Sequence, residues 1–344
     1  MLIGLVLVCC VVVSDGWVIE DVAQPPSVSL EVGGMVFLED ESLLVCTRRG
    51  EVWSIDRPFD DEPSYTLYAD GLQEPLGLLD HDGWIYVVQR GELSRMRDTD
   101  GDRRMDELET FCDDWEISGN YHEYAFGPRL DGDGNFWVTL NKPFGDEPFG
   151  KAHWRGWAAR ITPDGRMDGA CSGLRSPAGV EAAPWGDVFF TDNQGEWCGA
   201  SKLSHLEVGD FHGHPHGIGS SELEASLVEH PGTVPDGLLM PEVTEHIPHF
   251  KLPAVWFPYD RMGRSPSGFV WDATAGGFGP FAGQAYVGDQ YAPIVMRVDL
   301  EQVDGHWQGA CYPFLDGFAC GITRLTWGQE QGAPVLLVGM TDRG

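Results

Sequence analysis

A chain of 344 residues with 54 acidic against 22 basic side chains carries a formal net charge of -32. It repels phosphate backbones, which excludes nucleic acid as a natural partner. Its 45 glycines and 23 prolines favour many turns over long helices, and 13 tryptophans supply material for a substantial core.

The N-terminus opens with an apolar run, Leu2 to Val13, followed by Ser14-Asp15-Gly16 in a small-x-small pattern. This pattern predicts a signal peptide over residues 1–16 and a secreted or periplasmic destination. The run is too short for a stable membrane span, which needs about 20 residues. No Lys or Arg precedes it, and a buried first strand is the alternative reading.

From Gly33 onward a degenerate unit recurs: a glycine, a short apolar strand, a turn, and a second apolar strand ending near Asp, Asn or Gly. It reads "GGMVFLEDESLLVCTRRGEVWSI", then "LGLLDHDGWIYVVQRGELSRM", "YAFGPRLDGDGNFWVTLN", "PAGVEAAPWGDVFFTDNQG", "PSGFVWDATAGGFGPFAGQAYVGDQ" and "GITRLTWGQEQGAPVLLVGMTD". The spacing of about 45–55 residues, with one wider gap, is that of four-stranded propeller blades. The fold class is therefore all-β, a six-bladed β-propeller over residues 17–344. The sequence stops two strands into unit six, so the last blade reads as incomplete. Either the C-terminus is truncated or the stretch from Trp17 to Val28 adds an outer closing strand. Residues 205–262, rich in His, Pro and Gly, form an insertion between units four and five.

Directly after the third strand of unit two comes "DTDGDRRMDELE". Asp98, Asp100, Asp102, Asp106 and Glu109 occupy places one, three, five, nine and twelve of an EF-hand calcium loop, with the Arg104 carbonyl at place seven. The turn glycine is at place four, Gly101, and Arg103 stands at place six. A strand precedes the loop and no helix pair flanks it. The stretch therefore predicts a structural calcium pin in a blade hairpin, because a sensor needs two helices to open.

Once residues 1–16 are set aside, Cys46, Cys112, Cys171, Cys198, Cys311 and Cys320 remain, an even number that permits disulfides in an exported protein without fixing their pairing. "HGHPHG" sets His212, His214 and His216 at alternate positions. A metal site would need an extended segment there, and the Gly and Pro between them favour a loop. No G-x-S-x-G elbow and no phosphate loop occurs, so serine-nucleophile and nucleotide chemistry have no support.

The third and fourth units, "YHEYAFGPRLDGDGNFWVTLN" and "GLRSPAGVEAAPWGDVFFTDNQGEW", resemble the central-face segments of soluble quinoprotein glucose dehydrogenases and their sorbosone-dehydrogenase-like relatives. They are more similar still to the large secreted "membrane-bound dehydrogenase-like" propeller proteins, often fused to haem domains. The resemblance implies a PQQ-dependent oxidation of a sugar or polyol hydroxyl. It assigns His122 as the general base, a role that imidazole chemistry suits. It assigns Arg175 to the pyrroloquinoline quinone, whose carboxylates a guanidinium grips, with Ser176 where the family has asparagine. It assigns the backbone carbonyls of Gly195 and Glu196 to a catalytic Ca2+, with Asp192 and Asn193 nearby. Arg324, in "GITRLTW", is the remaining cofactor anchor where the family has two arginines, and Tyr291 stands where it has a lysine. Electrons would pass to an external acceptor or a fused c-type haem domain.

Two other readings compete. A calcium-dependent lactonase or esterase propeller would draw Asp192 and Asn193 together with carboxylates of other blades on the axis. A non-catalytic propeller binding glycans or a protein is favoured by the missing cations in units five and six.

Overall fold

The protein is described by a computed structural model over residues 16–145 and 151–341 and over the backbone of residues 5–9. Six four-stranded antiparallel sheets follow one another around an axis. Blade one holds β3 (Val32–Phe37), β4 (Leu43–Thr47), β5 (Val52–Asp56) and β6 (Ser64–Ala69), preceded in sequence by β1 (Leu5–Cys9) and β2 (Val18–Asp21). Blade two holds β7 (Leu78–His81), β8 (Trp84–Val88), β9 (Leu93–Arg97) and β10 (Glu107–Cys112). Blade three holds β11 (Ala125–Leu130), β12 (Phe136–Leu140), β13 (Trp157–Ile161) and β14 (Met167–Ser172). Blade four holds β15 (Pro177–Ala182), β16 (Val188–Asp192), β17 (Lys202–Leu206) and β18 (Val255–Trp256). Blade five holds β19 (Pro266–Trp271), β20 (Ala285–Asp289), β21 (Ile294–Val303) and β22 (His306–Leu315).

Blade six corrects the expectation of an incomplete last blade. β23 (Gly321–Glu330) and β24 (Ala333–Thr341) pair as predicted, and β1 and β2 add the two outer strands in the order β2-β1-β24-β23. The outer closing strand offered from the stretch Trp17 to Val28 is present as β2, and β1 joins it to β24. β1 lies within the run expected to be an export signal. Of the expected cleavage stretch, Ser14 and Asp15 lie outside the described residues.

The first strand of each unit is innermost and packs against its counterparts in the adjoining blades, around to β23 against β3. This convergence explains the glycine that opens each unit. A Cβ on Gly77 would sit 1.6 Å from the Gly127 carbonyl oxygen, and one on Gly179 would sit 2.2 Å from that of Ser267. Only glycine lets the backbones approach so closely. The second strands β4, β12, β16 and β20 are buried throughout, because adjoining blades cover both their faces. One apolar cluster fills each of the six blade interfaces.

The insertion is narrower than expected, residues 207–254, because β17 runs to Leu206 and β18 begins at Val255. It has its own small core of Phe211, Val243, Ile247 and Phe250. Its backbone bonds to Gly169 and Ser172 of β14, through Asp210, His212, Ala225 and Leu227, cover the outer edge of blade three.

Candidate active site

The starts of the innermost strands and the ends of the second strands share one face, and most sequence-predicted site residues collect there. The loop before β11 is shaped by Asn120, whose Oδ1 accepts the backbone N–H groups of His122 (3.0 Å) and Phe144 (3.1 Å). Beneath it the buried Arg155 guanidinium donates to the carbonyls of Glu116, Glu123, Tyr124 and Arg90. His122 is held between these supports and is 7% exposed. Its Nδ1 lies 2.6 Å from the Lys142 carbonyl oxygen, so this nitrogen carries the proton and Nε2 is left with its lone pair. Nε2 faces the Ser176 hydroxyl at 3.2 Å, and that hydroxyl accepts from Asn141 Nδ2 at 3.1 Å. A directed chain therefore runs from Asn141 through Ser176 to His122 and out to Lys142. Burial pulls the His122 pKa down to about 4, against the hydrogen bond to the Lys142 carbonyl, so the ring is neutral near pH 7. Its face lies on Phe144, with ring centroids 3.9 Å apart.

Arg175 and Ser176 precede β15, and the buried carboxylate of Asp192 fixes both. Its Oδ1 accepts the Ser176 N–H at 2.7 Å, and its Oδ2 accepts the Arg175 N–H at 3.2 Å and Lys202 Nζ at 2.9 Å. Asp289 does the same in blade five for Arg264, Ser265, Tyr291 and Ala292. Asp192 is thus a turn anchor. The Arg175 side chain lies across Gly195, where a Cβ would come within 2.4 Å of its Nε, and over the Phe144 ring at 4.6 Å. The Glu196 carboxylate meets Lys142 Nζ at 3.1 Å, Arg175 Nε at 3.5 Å and His214 Nε2 at 3.2 Å. Burial raises its pKa, but its own backbone N–H and the Lys142 and Arg175 charges outweigh this and bring it down to about 2.

Residues that sequence reasoning missed complete the face. Arg48 and Arg90 share the Glu74 carboxylate, and both lie over the Tyr124 ring beside His122. Arg264 lies 4.0 Å over the ring of Tyr291, so blade five supplies a cation after all, one strand away from the place where a lysine was sought. The unused signal was positional: Arg48, Arg90 and Lys142 all fall one or two residues past the end of a second strand.

Arg324 is a correction. It lies on the axis, and its donors are committed to backbone carbonyls of four blades: Gly33 (2.7 Å), Leu76 (3.1 Å), Ala178 (3.0 Å) and Thr323 (2.6 Å). It stacks over Phe126 at 4.8 Å and lines both small axial cavities, of about 20 and 60 Å³. It plugs the channel, with four of its five guanidinium N–H groups bonded to backbone carbonyls. The three histidines of "HGHPHG" do not converge. His212 is buried edge-on against Phe190, and His214 turns to Glu196.

The predicted calcium loop joins β9 to β10, and β9 runs away from the His122 face, so the loop lies at the opposite one. Asp98, Asp100 and Asp106 bring carboxylate oxygens within 4.8 Å of one another, the only such cluster among the described residues. Asp98 also accepts the N–H groups of Gly101 and Arg103, at 2.7 Å each, and Asp102 accepts that of Arg104 at 2.9 Å. Asp102 is not in the cluster, and Arg104 is exposed. Glu109 does not return to the loop. It sits opposite Arg95 in the β9–β10 register and pairs with it at 2.7 Å, because a strand and not a helix follows place nine. Cys46, Cys112, Cys171, Cys198 and Cys311 form no disulfide among the described residues.

A family model described as a domain of unknown function, DUF7133, matches residues 60–221. No curated protein matches the sequence. Among solved structures, the chain is similar to a putative oxidoreductase (glucose dehydrogenase) from Thermus thermophilus, at 19% identity and TM-score 0.63 over 90% of this chain and 96% of that one. It is similar to the PQQ-bound aldose sugar dehydrogenase of Streptomyces coelicolor, at 15% identity and TM-score 0.60 over 91% and 95%. It is also similar to the PQQ domain of pyranose dehydrogenase from Coprinopsis cinerea in its holo form, at 12% identity and TM-score 0.62 over 90% and 93%. At these identities the likeness is one of fold: a propeller of the quinoprotein sugar dehydrogenase kind.

Proposed function

We propose that the chain is a PQQ-dependent dehydrogenase acting on a sugar or other polyol, with His122 as the base. The observation that carries this reading is the His122 ring itself. It is neutral, its Nδ1 proton is fixed on the Lys142 carbonyl, and its Nε2 lone pair accepts from the Ser176 hydroxyl beside a cationic, aromatic patch.

The residues present fit the cofactor's chemistry. Arg175, Lys142 and Arg264 would hold its carboxylates, while the exposed Tyr121 and Tyr291 offer ring surface to a flat ring system. The buried Oδ1 atoms of Asn141 and Asn193 have no protein partner, and both residues adjoin Ser176. Such oxygens suit a hard cation, beside the Gly195 and Glu196 carbonyls. Bound quinone would accept the hydride, with Ca2+ polarising it. A substrate hydroxyl takes the place of the Ser176 hydroxyl at Nε2 and gives its proton there. Ser176, still held by Asn141, keeps water from that nitrogen, and the Lys142 carbonyl steadies the imidazolium that forms. The electrons leave to an external acceptor or a haem domain.

The lactonase reading needs carboxylates free to converge on one ion: among the described residues, Asp192 is tied to Lys202, Glu181 at the axial cavity is paired with Arg129, and the axis holds Arg324.

The test is reconstitution with Ca2+ and pyrroloquinoline quinone, followed by dye reduction on a panel of sugars, polyols and lactones. Sugar-dependent reduction that falls at least about a hundredfold in His122→Ala is expected, the scale of a lost general base. Unchanged reduction in that variant removes His122 from the mechanism, and lactone cleavage with Ca2+ alone overturns the dehydrogenase reading.

A further inference from the structure

The cations that face the mouth are already covered by a carboxylate of the chain. Lys142 and Arg175 are only 7% and 11% exposed in their side chains, while Glu196, lying on both, is 55% exposed. Glu196 Oε1 meets Lys142 Nζ at 3.1 Å, and its Oε2 meets Arg175 Nε at 3.5 Å. His214 Nε2 joins Oε2 at 3.2 Å. His214 Nδ1 accepts the His216 N–H, so its Nε2 bears the proton and donates to Glu196. A carboxylate in a cradle of three donors has the geometry that a bound anion would have.

We propose that Glu196 is a built-in competitor: in the free protein its carboxylate fills the Arg175–Lys142 clamp, and a carboxylate-bearing ligand binds by displacing it. This rests on the reading above that anions dock beside Arg175. The clamp does not depend on Glu196 for its position. Phe144 lies under both cations, at 4.6 Å from the Arg175 guanidinium and 5.3 Å from Lys142 Nζ, and Lys142 also donates to the Pro143 carbonyl at 3.1 Å. The carboxylate itself is half in water and can swing out without opening the fold. The exchange replaces one negative charge with another, so the neutral state of His122 is preserved while the clamp changes partners. An internal ligand that occupies the clamp in about nine molecules of ten lowers apparent affinity about tenfold, since only the open fraction binds.

The experiment compares Glu196→Gln and Glu196→Asp with the parent protein. Benzene-1,3,5-tricarboxylate, an aromatic tricarboxylate without redox chemistry, is titrated calorimetrically at fixed ionic strength. Phenylglyoxal labelling of Arg175 is followed in parallel by peptide mass mapping. Glu196→Gln should bind the probe about tenfold more tightly and label Arg175 faster, with Glu196→Asp between the two. Equal or weaker binding by Glu196→Gln, with unchanged labelling of Arg175, overturns the proposal. Lys142→Gln should weaken the probe in either background. Pyrroloquinoline quinone is titrated separately, by tryptophan quenching. If it fails to bind while the tricarboxylate behaves as described, the dehydrogenase reading fails and the competitor stands. If it binds the parent protein and Glu196→Gln changes nothing, the competitor fails and the dehydrogenase reading stands.

Discussion

Arg324→Met separates two roles for one residue. The substitution keeps an apolar stem over Phe126 and removes every guanidinium donor. Four carbonyl oxygens, of Gly33, Leu76, Ala178 and Thr323, then lose their partner on the axis. Each buried acceptor left bare costs about 1–3 kcal/mol, so the gross loss is about 4–12 kcal/mol. Water entering the vacated space beside the 20 Å³ axial cavity recovers part of this, and relief from burying a charge offsets more, which points to the lower end, about 4 kcal/mol. With 344 residues the unfolding entropy is about 0.7 kcal/mol per kelvin, so Tm should fall by about 6 °C. Differential scanning calorimetry without any ligand measures this. A cofactor anchor behaves oppositely: its removal leaves the ligand-free Tm in place and weakens only cofactor binding. A ligand-free Tm within about 2 °C of the parent, joined to lost quinone affinity, refutes the axial-plug reasoning.

Three shorter expectations follow from the site and the loop. Turnover should show an acid limb near pH 4, because a protonated His122 has no lone pair at Nε2; a limb near 6.5 would mean that burial does not lower its pKa. The fold should lose stability as pH falls from about 6.5 to 4, since His122, His214 and His216 are each held neutral to about 4 by burial while the unfolded chain binds their protons earlier. Each contributes a loss of ~3 kcal/mol at the acid end. Asp210, pushed up to about 6 by burial, works the other way, its contribution lost as pH rises through 6; urea midpoints across this window read the sum. At saturating Ca2+ the parent should gain about 2–3 kcal/mol, or about 4 °C in Tm, that Asp100→Asn lacks, with quinone binding unchanged in that variant. A Ca2+-dependent Tm that survives Asp100→Asn would place the stabilising ion elsewhere.

The blades were legible because their second strands are apolar on both faces and each unit opens on a glycine, patterns that packing between blades imposes locally. His122, Ser176 and Arg175 were legible only as members of short unit-three and unit-four segments. What joins them was not legible: Lys142, Asn141 and Phe144 reach the same point from the end of β12. Closure of blade six by β1 and β2 stays open at the level of sequence, since its partners are the two ends of the chain. Arg324 was misassigned because an arginine at an inner strand start looks the same in sequence whether its donors face a ligand or a ring of carbonyls. Glu109 was misassigned because the EF-hand spacing carries its twelfth residue back only on a helix. On β10 that residue points across the hairpin to Arg95.

The charge distribution gives one more consequence, in kinetics. The chain as a whole carries -32, yet the mouth gathers Arg48, Arg90, Lys142, Arg175 and Arg264 against Glu74 and Glu196. An anionic ligand therefore meets two fields of opposite sign. At about 10 mM salt the Debye length is about 30 Å, comparable to the molecule, and the net negative charge repels the ligand well before contact. At about 150 mM it shrinks to about 8 Å, which hides the distant carboxylates and leaves the nearby guanidinium groups effective. The association rate of benzene-1,3,5-tricarboxylate should therefore rise between these two salt concentrations, the reverse of ordinary steering to a cationic site, and fall only at about 1 M, where the mouth itself is screened. Stopped-flow tryptophan quenching on Glu196→Gln, whose open clamp removes the displacement step, isolates the encounter. A rate that falls steadily from the lowest salt would mean that the mouth's cations dominate the field at long range, and that the surface acidity does not govern approach to the site.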